Sequence, residues 1–307
     1  MKILIVCSAN SGKIMPFITE QGNKLVEFGC EVDYFTISSK GINGYLSHLG
    51  ELKTKLKEKK YDIVHAHFGL SGALAVMQRR VPVVITFHNG ETLTKLGNLI
   101  SSTASLFSAY NIYVAEHIYQ LTYFKKPRKS MILPCGINLD ELELIPKAEA
   151  AKQMNLPKDK INILFGGVFA NLRKNVKLAN EAINLLANDN INLIEMKGYT
   201  RKEVNALFCG VDLMLLPTKS EGSPQVVKEA MACNCPIVAT DVADIKVLLN
   251  GTEGCYLTTF EPVDVAEKIK LAIAFGKRTT GRDSVSNYDN KIIVKKITDV
   301  YAKIIKK

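Results

Sequence analysis

A chain of 307 residues, 47% of them hydrophobic, is long for one domain and has material for two hydrophobic cores. Its formal net charge of +10 calls for an anionic partner, but no RRM-like, zinc-finger or helix-turn-helix pattern is present and Trp is absent, so nucleic acid is not expected to be that partner. Seven scattered cysteines without a CxxC pair argue for reduced thiols in a cytosolic protein, and against a disulfide framework or zinc ligation.

In chain order, residues 2–7 read as a first strand, too short for the core of a signal peptide. Short apolar strands are expected at 31–37, 63–65, 83–87, 112–114 and 130–133, then at 162–165, 192–196, 212–216, 237–239 and 254–257. Helical patterns fill most gaps, among them 16–28, 70–79, 176–187, 202–208 and 262–274, and 287–307 reads as a basic amphipathic helix. No run approaches the roughly 18 apolar residues needed to cross a bilayer. Such alternation argues for an α/β chain whose parallel sheets are covered on both faces, in two Rossmann-like domains. The pattern lapses into turn residues at Pro134-Cys135-Gly136-Ile137-Asn138 and an acidic run up to Pro146, so the break is expected there, with 1–137 and 138–286 as the domains.

Several strand ends carry residues with chemical potential. Ser8-Ala9-Asn10-Ser11-Gly12-Lys13 follows the first strand, where ligands of open parallel sheets bind; it is not a GxGxxG fingerprint, and a plain strand–helix turn is an alternative. His65 and His67 alternate along one strand and should face one side, and His88 follows the next apolar run. A histidine in such a place is often structural. No nucleophile elbow accompanies them, so hydrolase chemistry has little support. In the second half, Phe165-Gly166-Gly167 leads through Arg173-Lys174-Asn175 into a helix without the pattern of a P-loop. Tyr199 follows a later strand and could stack on a base or cap the sheet.

The most informative stretch runs from Thr218 to Ala232. A buried strand stops at Pro217, and Ser223 and Pro224 suit the N-cap and first position of a helix with an apolar stripe of Val226, Val227, Ala230 and Met231. Glu221 then precedes the helix and Glu229 lies about two turns inside it, on the order of 10 Å along the axis. The helix start between them, formed by Gly222, Ser223, Gln225 and Val226, is an anion site. Carboxylate, anion site and carboxylate suit the sugar, diphosphate and ribose of a nucleotide-sugar; two solvated acids on a surface helix are the plain alternative.

Glu221, seven residues, Glu229, then Ala230-Met231-Ala232 and Pro236-Ile237-Val238-Ala239-Thr240, closely resembles the donor-site signature of glycosyltransferase family 4, group 1 type. His65-Ala66-His67, Thr86-Phe87-His88 and the hinge-like Pro134-to-Asn138 resemble other motifs of that family, so the likeness covers nearly the whole chain. It implies a GT-B fold, two Rossmann-like domains with an interdomain cleft, and a final helix, 287–307, that crosses back to the first domain. It implies a retaining transferase in which Glu221 holds sugar hydroxyls, Glu229 the ribose, and His88 the transferred sugar. The loop carrying Gly12 resembles the one that faces the cleft. Lys174 fits the family's lysine on the diphosphate, whereas Val168 stands where an arginine is usual, and Arg173 is the candidate replacement.

The expected activity is therefore transfer of a hexose from UDP- or GDP-hexose to a glycan or lipid-linked acceptor, without metal or other cofactor, in cell-surface polysaccharide or glycolipid synthesis. The site residues are His88 and Glu221 as catalytic groups, with Gly12, Arg173, Lys174, Gly222, Ser223, Gln225, Val226 and Glu229 on the donor. A nucleotide-sugar epimerase or hydrolase of the same fold, or a non-enzymatic two-lobed sugar-binding protein, are the alternatives. Lysine clusters at 53–60 and 125–129 point to an anionic membrane surface, hence a cytoplasmic protein peripheral on the inner face.

Overall fold

The computed structural model describes residues 1–10, 12–89, 94–187 and 190–306. Ser11, Gly90 and Lys307, which fall in the expected first loop, the loop after His88 and the last helix, lie outside the described residues. The chain divides into two compact units, Met1–Gly136 with Asn290–Lys307, and Ile137–Asp289.

The first unit contains β1 (Lys2–Ser8), β2 (Glu31–Ile37), β3 (Ile63–His67), β4 (Val83–Phe87), β5 (Tyr110–Tyr113) and β6 (Ser130–Ile132). They form one parallel sheet in the order β2-β1-β3-β4-β5-β6. Its helices are α1 (Pro16–Glu27), α2 (Gly41–Ser47), α3 (Leu49–Glu58), α4 (Gly69–Val76), α5 (Lys95–Phe107) and α6 (Glu116–Leu121). The strands read as unbroken apolar runs because both faces are covered. Ile3, Ile5 and Cys7 enter one core while Leu4 and Val6 enter the other. Pairing of β3 with β4 extends two residues past the expected end at 65, so His67 is the last residue of the strand, opposite Thr86.

In the second unit β7 (Ile161–Phe165), β8 (Ile191–Glu195), β9 (Leu213–Leu216), β10 (Ile237–Thr240) and β11 (Cys255–Thr258) form a parallel sheet ordered β11-β10-β9-β7-β8. The helices are α7 (Lys147–Gln153), α8 (Val176–Asn184), α9 (Arg201–Gly210), α10 (Gln225–Ala232), α11 (Ile245–Leu249), α12 (Pro262–Phe275) and α13 (Gly281–Val285). The same division recurs: Ile163, Phe165, Leu213 and Leu215 face one core, and Leu164, Met214 and Leu216 the other. The last helix, α14 (Asn290–Ile305), belongs to the first unit and places Ile293, Val294, Ile297 and Tyr301 in the core with Ile3 and Ile5. No helix among the described residues is long and apolar enough to cross a membrane.

Strand order determines where a ligand can sit. Each sheet reverses direction of growth once, between β1 and β3 in the first and between β7 and β9 in the second. At such a point the loops leaving neighbouring strands part and open a crevice beyond their carboxyl ends. The loops that leave β7 and β9 carry Lys174 and Glu221.

Candidate active site

In the second unit Lys174 and Glu221, 47 residues apart in sequence, meet in an ion pair of 2.8 Å. Their side chains are 13% and 10% exposed, so the pair is largely withdrawn from water. Two features bring them together. Gly167 leaves room for the lysine stem, since a Cβ there would stand 2.8 Å from Lys174 Cγ. The backbone carbonyl of Arg173 accepts from the Lys219 amide at 2.9 Å, which ties the loop after β7 to the loop after β9. Thr218 then donates to Glu221 Oε1 at 2.9 Å, and Thr240 at the end of β10 donates to the Thr218 carbonyl at 2.5 Å. Glu221 is thus positioned from three strand ends. A lysine ammonium has three N–H donors, so Lys174 can hold Glu221 and still serve an anion.

The chain beyond Glu221 passes Gly222 and Ser223, both half-buried, and enters α10 at Gln225. Here the expected cap is corrected. Pro224 is the N-cap residue and makes no side-chain cap hydrogen bond. Ser223 instead accepts from Lys228 Nζ at 2.5 Å and donates to Asp244 Oδ2 at 3.2 Å. The reason is the burial of Lys228, whose side chain is fully enclosed 5.1 Å from the Tyr288 ring centre: an ammonium so placed needs oxygen partners, and the serine hydroxyl is drawn to it. The start of α10, with Gln225 and Val226 in its first turn, has the anion-attracting polarity of a helix N-terminus.

Glu229 is buried further along α10 and pairs with Arg201 at 2.8 Å. Arg201 opens α9, whose start is held by a capping box of Thr200 and Glu203. Arg173 presents an exposed side chain on the 171–175 loop, and its contribution to the pair above is through its backbone. Tyr199 is exposed. Arg201, Lys228 and Asp244 are residues of this region that the motifs did not single out.

The first unit holds a second constellation. His65, His67 and His88 stack, with ring centres 4.6 Å and 5.3 Å apart and planes inclined by 22°. His65 is held between Thr86 Oγ1 at 2.7 Å and Tyr301 of α14 at 2.5 Å. His67 Nδ1 lies 3.0 Å from His88 Nε2, and His88 Nδ1 lies 3.6 Å from Cys135 Sγ. His67 Nε2 is buried without a partner. A buried unpaired N–H costs more than an unpaired lone pair, which assigns the His67 proton to Nδ1, donating to His88 Nε2. His88 then carries its own proton on Nδ1 and is a hydrogen-bond donor, not a base. Burial in the company of Phe17 and Phe68 keeps these rings neutral: it pushes His67 down to about 3 and His65 and His88 well below the usual histidine range. Two strained residues flank the stack at the strand ends, Phe68 with φ 72° and Asn89 with φ 105°.

Gly12 belongs to this unit, exposed and at φ 87°, a conformation for which glycine is suited. A cavity of about 370 Å³ nearby is lined by Ser8, Met15, Tyr45, Phe68, Thr94 and Ser101 among others. No group of three or more His, Cys, Asp or Glu side chains among the described residues is arranged to hold a metal ion.

Two family models match the chain: "Glycosyltransferase Family 4" over residues 17–141 and "Glycosyl transferases group 1" over residues 173–274. The chain belongs to the group 1, family 4 glycosyltransferases. A D-inositol 3-phosphate glycosyltransferase of Geodermatophilus obscurus is 22% identical, over 70% of this chain and 60% of its own length. The chain thus spans about 60% of that relative. Among solved structures, a sucrose-phosphate synthase of Thermosynechococcus elongatus is 16% identical with a TM-score of 0.85, covering 100% of this chain and 99% of that one. The Anabaena protein HepE in complex with UDP and glucose is 14% identical with a TM-score of 0.79, covering 99% and 100%. These likenesses show the fold, which is GT-B, an α/β chain of two parallel-sheet Rossmann-like domains.

Proposed function

We propose that the chain is a retaining hexosyltransferase that moves a hexose from UDP- or GDP-hexose to a glycan or lipid-linked acceptor, in cell-surface polysaccharide or glycolipid synthesis. In this reading residues 138–286 bind the donor, and 1–137 with the final helix serve the acceptor. The observation that carries it is the Lys174–Glu221 pair at the reversal point of the second sheet, followed directly by the N-terminus of α10. The binding of UDP by a protein of the same fold supports the nucleotide-sugar donor.

Transfer needs negative charge stabilised on the leaving diphosphate more than it needs a nucleophile. Lys174, with Arg173 beside it, and the first turn of α10 at Gln225 and Val226 supply that electrostatically. Glu221, anchored by Lys174 and Thr218, orients the sugar hydroxyls, and the neutral His88 ring supports the transferred sugar. Glu229, already held by Arg201, takes the ribose. Because cations and a helix terminus occupy the role of Mg²⁺, chelation of divalent ions is expected to leave transfer intact; loss on chelation with recovery on adding Mg²⁺ would remove Lys174 from the diphosphate. The basic balance supports association with the anionic cytoplasmic face of a membrane.

The reading is tested by splitting the two carboxylates. Glu229→Gln is expected to raise donor KM about tenfold with kcat little changed, because a ribose contact is equally present in ground and transition states. Glu221→Gln is expected to lower kcat by roughly ten- to a hundredfold, being next to the reacting carbon. A donor lacking the ribose hydroxyls should penalise wild type and hardly affect Glu229→Gln. If both variants respond to that donor as wild type does, the donor orientation is wrong.

A further inference from the structure

Helix α5 is built inside out. Its buried positions are Asn98, Ser101, Ser102, Ala104 and Ser105, while Leu96, Leu99, Leu106 and Phe107 are exposed, Phe107 by 65%. Positions 96, 99, 103, 106 and 107 recur at three- and four-residue steps, so they form one outward stripe. Three of the inward polar groups, Asn98, Ser102 and Ser105, are hydrogen-bonded, while the buried Ser101 hydroxyl has no partner among the described residues. Ser102 donates to Asn98 Oδ1 at 2.9 Å, and the Ser105 hydroxyl lies 2.7 Å from the Ser102 carbonyl and 3.0 Å from that of Phe124.

Both flanks of the stripe continue it. On one side a groove of about 440 Å³ runs between α4 and α5, lined by Val76, Met77, Arg79, Leu99, Ile100 and Phe107 among others. On the other, residues 121–126 run beside α5, joined to it by Asn98 Nδ2 to the Leu121 carbonyl at 2.8 Å and Lys126 Nζ to the Leu106 carbonyl at 2.9 Å. That segment adds exposed Leu121, Tyr123 and Phe124. The surrounding charge is one-sided. From residue 63 to 136 the sequence has seven cations, Arg79, Arg80, Lys95, Lys125, Lys126, Arg128 and Lys129, against two acids, Glu91 and Glu116.

We propose that the α4–α5 face with residues 121–129 is the surface by which the protein docks on an anionic lipid bilayer, the Leu99–Phe107 stripe entering the headgroup–acyl boundary and the flanking cations engaging lipid phosphates. The inference rests on the proposed membrane association and adds its location. A shallow apolar stripe rimmed by cations matches the interfacial zone of a bilayer. A second copy of the chain would bring two basic faces together, since a two-fold interface pairs a patch with itself. The other lysine cluster lacks the pattern: α3 buries Leu52 and Leu56 in the ordinary way, carries Glu51 and Glu58, and the adjoining Lys59 is paired with Asp33 at 2.6 Å.

Wild type should cosediment with vesicles of phosphatidylglycerol and phosphatidylcholine at low salt, and not with phosphatidylcholine alone. Leu99→Ser with Phe107→Ser should weaken that partition at least about tenfold while the melting temperature holds, both positions being exposed. Lys53→Glu with Lys57→Glu should weaken it less than about threefold, as a screened distant charge. The chain has no Trp, so Phe107→Trp reports alone; its emission should shift to the blue on the anionic vesicles and be quenched by brominated lipid. Failure of wild type to cosediment overturns the association, and the inference with it. Cosedimentation with unmoved Trp emission, or unchanged binding by the double serine variant, overturns the face alone. A lipid-free dimer that the serine variant dissolves assigns the face to a second copy instead.

Discussion

Replacing Lys174 with Met is expected to lower turnover by about 10²–10³-fold and to destabilise the Ile137–Asp289 unit by about 3 kcal/mol. The stability loss follows from what stays behind. Glu221, with a side chain only 10% exposed, would keep the Thr218 hydroxyl at 2.9 Å and lose its ammonium partner. Deleting one member of a buried pair typically costs about 3–5 kcal/mol, and the residual exposure of both groups places this one at the low end. Thermal or urea unfolding of the unit, compared with wild type at one pH, reads this directly.

Two causes of the turnover loss are separable: an ammonium that acts on the leaving diphosphate, and one that only holds Glu221 in place. The pair of single variants and the double variant decide. The neutral amide introduced by Glu221→Gln needs no cation and can still accept from Thr218, so Lys174→Met with Glu221→Gln should recover stability to within about 1 kcal/mol of Glu221→Gln alone. Its turnover should nevertheless fall about a further hundredfold below Glu221→Gln if the ammonium serves the diphosphate. Equal turnover in the double variant and in Glu221→Gln would reduce Lys174 to a positioning residue.

The strands were legible because a parallel sheet covered on both faces leaves short continuous apolar runs, and Ile3–Cys7 or Leu213–Leu216 can hardly be read otherwise. The chain segment from Glu221 to Glu229 was legible as a motif because its residues are local in sequence. What was not legible depends on pairing across the fold. Lys174 reaches Glu221 only because β7 and β9 are neighbours, and Tyr301 reaches His65 across 236 residues of sequence. Arg201 looks like any basic residue at a helix start until Glu229 is seen beside it. Ser223 had the right chemistry for an N-cap, but a buried lysine five residues on outcompetes the helix for its hydroxyl. Helix α5 shows the limit of periodicity: the apolar stripe is visible in sequence, but which side faces inward is set by its neighbours.

The Met1–Gly136 and Asn290–Lys307 unit is expected to lose stability steeply as pH falls below about 6.5, the ordinary histidine pKa, while the other unit does not. His65, His67 and His88 are all held neutral by burial, and among the described residues they meet hydroxyls, a thiol and one another. In the unfolded chain each takes up a proton below about 6.5; in the folded unit His67 does so only near 3, and His65 and His88 only well below the normal range. The unfolded state therefore binds more protons across that window, so stability is present above it and drains away as pH drops. Each ring contributes about 1.4 kcal/mol per pH unit, or about 4 for three. Between pH 6.5 and 5 that amounts to about 5 kcal/mol, because the unfolded rings are only half protonated at the start, and it rivals the whole stability of many domains. The second unit is the internal control, because all five histidines, at 48, 65, 67, 88 and 117, lie outside it. Amide exchange resolved to β3 and β4 on one side and β7 and β9 on the other, followed from pH 7.5 to 5, should show protection collapsing in the first pair alone. His67→Phe fills the stack without a titrating nitrogen and should reduce the slope by about 1.4 kcal/mol per pH unit, whatever it does to stability at pH 7.5. Equal protection in both units at pH 5, or a slope untouched by His67→Phe, would mean that the stacked rings carry charge in the folded state.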